Sequence, residues 1–137
     1  MTSSTSRSAE TVADAGAQYA SAQWFDSEAV AGVRFALARM SFGRRLELVR
    51  ALREIGRKVE FLEAGDDARE KMERAVLVGE IDRAYLEWGL VDVAGLAIDG
   101  EPASVRMVIE RGPVPLAAEI LERVKAECGL SEQERKN

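Results

Sequence analysis

Along the chain the apolar positions change period, and each change marks an element. In "AGVRFALARM" (31–40), Val33, Phe35 and Leu37 alternate with Arg34, Ala36 and Ala38. A period of two predicts a strand. The preceding "WFD", across the Ser27–Gly32 stretch, supplies a hairpin partner. From Ser41 onward the period lengthens. Leu48, Leu52, Ile55, Val59 and Leu62 recur at helical spacing and make one apolar stripe. With Ser41 as N-cap, this predicts a helix to about Ala64. Arg50, Arg53 and Arg57 fall together on a different face of it.

Gly65 ends that run, and Asp67 with Glu70 is a capping-box pattern opening a second helix, from about Asp67 to Trp88. This helix differs in kind. Ala68, Met72, Ala75, Gly79 and Leu86 fall on one side; Leu77, Ile81, Ala84, Tyr85 and Trp88 fall on another. Apolar residues on two sides predict a helix sandwiched between neighbours. A glycine in mid-helix costs about 1 kcal/mol against alanine, so Gly79 predicts the close approach of another backbone. Glu73, Glu80 and Glu87 mark the remaining wet strip.

The segment "GLVDVAGLAIDGEPAS" (89–104) breaks the helical pattern. Asp99-Gly100 is a turn signal reinforced by Pro102, and the stretch reads as an ordered loop with one short extended piece at Leu96–Ile98. Ser104 can cap a short helix ending at Arg111, and Gly112-Pro113 terminates it. A last helix opens near Pro115, with Leu116, Ile120, Val124 and Cys128 four apart on one face. Gly129-Leu130 closes it. Ser131 and Glu134 then announce a further helix with few residues to build it, and isolated short helices are marginal.

These elements define a mainly α chain with a small N-terminal β element (α+β): a short hairpin or strand followed by four helices. Residues 1–22 are rich in Ser, Thr, Ala and Gln and read as a disordered arm. Residues 23–130 form a single folded domain, and 131–137 a frayed tail.

Composition narrows the chemistry. Among 137 residues, 47% are hydrophobic but only 6% aromatic, so the core is aliphatic. The net charge of −5 disfavours non-specific nucleic-acid binding by the whole chain. It is not evenly spread: residues 39–58 hold seven basic against two acidic residues, a net of +5, which leaves −10 elsewhere. That basic segment suits an acidic partner or nucleic acid, but it lacks the repeated aromatics that a single-strand binder would want among its arginines. No apolar run approaches the ~18 residues of a membrane span.

Catalytic groups are scarce. The absence of histidine removes the usual general base and metal ligand together. The single cysteine, Cys128, sits at a helix C-terminus, where the dipole disfavours a thiolate. No Cys/His cluster, nucleophile motif or phosphate-cradling loop is present, and Asp99 with Glu101 is too short a constellation for a calcium loop. The expectation is a non-enzyme without cofactor or metal. Its candidate contacts are Leu77, Ile81, Tyr85 and Trp88 on the second helix and Arg50, Arg53 and Arg57 on the first.

Several stretches in order resemble one family. "GVRFALARMSFGRRLELVR", "EFLEAG", "EIDRAYLEWGL", "GLAIDGEPAS", "IERGP" and "GLSEQERKN" follow the pattern of tail assembly chaperones of tailed phages and prophages, over roughly residues 24–137. No one stretch is specific; their order and spacing carry the resemblance. "GPVPLAAEI" departs from it, lacking an acidic residue soon after Gly-Pro. The resemblance implies a small, acidic, cytoplasmic, non-catalytic protein that binds the tape measure protein and helps tail tube subunits assemble around it. It also implies absence from the finished virion and, in many relatives, a frameshifted longer product. It transfers no catalytic residue. Two other readings stand beside it: a structural tail adaptor or completion subunit retained in the particle, and a small nucleic-acid-binding regulator using residues 39–58.

Overall fold

The computed structural model describes residues 16–62 and 67–129, with the side chains of Val59, Phe61 and Leu62 left out. The expectations for an N-terminal arm, for the Gly65 stop and for the tail beyond Gly129 lie largely or wholly outside those residues. Among the described residues the fold is α+β: a three-stranded antiparallel sheet with four helices.

The predicted hairpin is present. β1 (Ala22–Asp26) pairs antiparallel with β2 (Arg34–Ala38), Phe25 opposite Phe35 and Trp24 opposite Ala36. Alternation sends Val33, Phe35 and Leu37 into the core, each at most 1% exposed. On the other face the small Ala36 lies between Trp24 and Asp92 of the flanking strands.

α1 (Phe42–Leu62) starts where Ser41 caps it, the Ser41 hydroxyl accepting from the Arg44 N–H at 3.2 Å. α2 (Ala68–Gly89) starts at Asp67, whose carboxylate accepts from the Glu70 N–H at 2.8 Å. The two run antiparallel, since the start of α1 is bound to the end of α2. The Arg44 guanidinium stacks over the Trp88 ring at 4.8 Å and donates to the Trp88 carbonyl, while Trp88 Nε1 donates to the Arg44 carbonyl at 3.0 Å.

Two expectations for α2 are overturned. It is not sandwiched along its length: only Tyr85, Leu86 and Gly89 are buried, whereas Met72 is 71% exposed and Val76 62%. Nor, among the described residues, does anything approach Gly79, where an added Cβ would meet no atom within 4 Å. The tight glycine is Gly89, where a Cβ would stand 2.6 Å from Val124 Cγ1.

The ordered loop expected at 89–104 is a further correction. α2 runs directly into β3 (Leu90–Ala94), the third strand of the sheet, pairing antiparallel with β2. The register shifts between Ala36 and Leu37, so Val91 is an extra residue in β3. Such a bulge breaks the two-residue alternation that would have announced the strand. The sheet closes tightly at its end: Gly95 has φ +79°, and a Cβ there would lie 2.2 Å from the Gly32 carbonyl oxygen.

β4 (Ala97–Ile98) and β5 (Glu101–Pro102) form a small hairpin around Asp99-Gly100, both at positive φ, as a type I′ turn requires. α3 (Val105–Arg111) is capped by Ser104, which accepts from the Met107 N–H at 3.1 Å. α4 (Val114–Cys128) buries Leu116, Ile120, Val124 and Cys128, each at most 2% exposed, and ends at Gly129 in the left-handed region.

One core unites these parts. β2 supplies Phe35 and Leu37, α1 Leu48 and Leu52, α2 Tyr85 and Leu86, β3 Leu90 and Val93, and α4 its buried row. α4 also grips the β1–β2 loop. Glu119 accepts from the Ser27 hydroxyl at 2.6 Å, from the Glu28 N–H at 2.7 Å and from the Ala29 N–H at 3.4 Å. Arg123 lies 4.6 Å over the Phe25 ring.

Candidate functional site

The seven candidate contacts separate into two groups. Tyr85, at 2% exposed, belongs to the core and offers no surface to a partner. Leu77 is half-buried, and Ile81 is half-buried against the core. Trp88 is held in the clasp with Arg44. The α2 face chosen from the sequence therefore joins α2 to the rest of the molecule.

Arg50, Arg53 and Arg57 behave differently. All three are exposed, on the side of α1 away from Leu48 and Leu52. Arg57 makes only a loose contact with Glu54 at 4.0 Å, both side chains more than two-thirds exposed. Such pairs contribute little.

The structure adds two residues that sequence reasoning missed. Phe42 is 84% exposed and Leu46 44% exposed. Spacings of four, four, three and four align Phe42, Leu46, Arg50, Arg53 and Arg57 on one side of α1. Scattered surface hydrophobics are ordinary, but here two large ones lead a row of arginines. Aromatic and arginine side chains dominate binding energy at protein interfaces. That spacing was visible in the sequence; the exposure of Phe42 and Leu46 was not.

Other concave regions carry less. A cleft of about 350 Å³ between α2 and α3 is lined by Arg83, Glu87, Arg106, Ile109 and Glu110. Three of its four charges pair internally: Arg83 bonds Glu110 and lies 3.7 Å from Glu87. Asp99 pairs with Arg111 at 3.1 Å. No group of three or more potential metal ligands occurs among the described residues. Burial pushes the Cys128 thiol up to about 11, Glu127 adding to the effect and Arg45 opposing it. A thiol so placed is a core side chain, not a nucleophile at neutral pH. No described helix is long and apolar enough to cross a membrane.

No family model, curated protein or solved structure matches this chain.

Proposed function

We propose that this chain is a non-catalytic assembly chaperone of a phage or prophage tail, which holds the tape measure protein against the outer face of α1 in the host cytoplasm. The ordered resemblance supports the family, and the observation that carries the site is the exposed row from Phe42 to Arg57. Covering a large apolar side chain is worth about 1.5–3 kcal/mol, so Phe42 and Leu46 can anchor a helical client. Arg50, Arg53 and Arg57 then select a segment whose carboxylates follow its apolar residues. The rest of the chain is acidic, which keeps the chaperone soluble while it carries an apolar client.

Co-expression with the tape measure protein of the same locus is the test. A soluble client that co-purifies with the chain supports the proposal; an insoluble client that never co-purifies defeats it. A nucleic-acid reading draws on the same three arginines. It predicts DNA or RNA binding that weakens steeply with salt, whereas capture through Phe42 and Leu46 persists at high ionic strength. Stoichiometric presence in purified particles would instead favour a retained adaptor.

A further inference from the structure

We propose that the N-terminal half of α2 is a contact surface between two copies of this chain, paired antiparallel about a two-fold axis beside Ala75 and Val76. Spacings of four, three and four place Ala68, Met72, Ala75 and Gly79 in one row, with Val76 beside it. Seven residues beyond Gly79 the same row reaches Leu86, which is 9% exposed. The molecule thus covers one end of this stripe and leaves the other in water, Met72 at 71% and Val76 at 62% exposed. Apolar surface gathered on one helix face in this way marks an interaction surface.

The charges beside the stripe choose the occupant. Arg69 and Glu80 lie along one border of the row, Lys71 and Asp82 along the other. A two-fold contact brings the same patch together from both copies. With antiparallel helices centred on Ala75 and Val76, Arg69 of each copy meets Glu80 of the other, and Lys71 meets Asp82. Val76 meets its own counterpart across the axis. Met72 of each copy falls on Gly79 of the other, where no described residue stands within 4 Å of a would-be Cβ and a long side chain has room.

A parallel pair would instead bring opposite borders together, setting Arg69 beside Lys71 and Glu80 beside Asp82, which is repulsive. Competing bonds leave these groups available. The Arg69 side chain is 87% exposed and only 3.6 Å from Glu73 at its Nε. Asp82 receives Lys125 on one oxygen, at 3.1 Å, and keeps the other. Arg83, on the Arg69 border, is engaged by Glu110 and Glu87. The surface is distinct from the α1 row, so the dimer stands or falls apart from client capture.

Light scattering on the full chain across a dilution series tests the pairing. The expected result is twice the chain mass at high concentration, reverting to a single chain for Val76→Glu, which sets two carboxylates face to face. Circular dichroism should show Val76→Glu folded, since its side chain is exposed. Arg69→Glu and Glu80→Lys should each weaken the dimer alone, and mixing the two variants should restore it, because every flank on that border then carries opposite charges. A wild-type chain that stays single at all concentrations overturns the proposal, as does a dimer that survives Val76→Glu. A dimer that the mixture fails to restore overturns the antiparallel register.

Discussion

α4 and the N-terminal half of α2 carry similar apolar rows and meet opposite fates. In α4, Leu116, Ile120, Val124 and Cys128 lie four apart and none exceeds 2% exposed. In α2, Ala68, Met72, Ala75 and Gly79 recur just as regularly, and all are exposed. Periodicity reports that a helix has an apolar side. It does not report what covers that side. α4 packs on the end of α2, where Val124 meets Gly89, and holds the β1–β2 loop through Glu119, while α2 packs along α1 with one side. Its other side is left to water or to another molecule.

The largest effect that sharpens this contrast is in the two rows themselves. Leu116→Ala should cost about 2–5 kcal/mol of stability by cavity formation, whereas exposed Met72→Ala should stay within ~0.5 kcal/mol. Chemical denaturation of both variants checks it; equal losses would mean that the α2 row is covered within one chain. The two α2 glycines come next. A methyl at Gly89 would press on Val124, so Gly89→Ala should destabilise by about 1–3 kcal/mol through overpacking. Gly79→Ala meets open space and should stabilise by about 0.5–1 kcal/mol through helix propensity. Both belong at dilution, where self-association does not contribute, and a destabilising Gly79→Ala would reveal a neighbour at that position.

The smallest effect depends on pH. Burial pushes the Glu119 carboxyl up, but the hydrogen bonds from Ser27, Glu28 and Ala29, with the Arg123 charge, outweigh it and hold the group below its ordinary value of 4.5. A carboxyl lowered by folding stabilises the fold in full above its unfolded value, and that stabilisation is lost as pH falls through the lower folded value. Glu119→Gln should therefore flatten the acid side of the curve of thermal midpoint against pH, below about 4.5. An unchanged acid limb would mean that the grip of α4 on the β1–β2 loop carries no charge contribution.

Most helix starts were legible because each rests on a local bond: Ser41, Asp67 and Ser104 each accept from an N–H three residues on. The β1–β2 hairpin was legible because Val33, Phe35 and Leu37 alternate without interruption. β3 was not, because the extra residue Val91 breaks the alternation and because a strand is completed by a partner, here β2, more than fifty positions away in sequence. The site was half legible. Three arginines on one α1 face could be read from spacing, and so could their alignment with Phe42 and Leu46. That Tyr85 faces inward while Phe42 faces outward depends on where the sheet and α4 come to rest, which no local pattern states.

The outer face of α1, with Phe42 and its arginines in water, is the proposed dock for the client. Combining Phe42→Ser, Arg50→Glu and Arg53→Glu in one chain tests it most directly, by co-purification with the tape measure protein alongside the thermal midpoint of the chain alone. All three side chains are exposed, so the midpoint should hold while the client is lost. A variant that keeps its midpoint and still brings the client down in full amount would rule out the outer face of α1 as the docking surface.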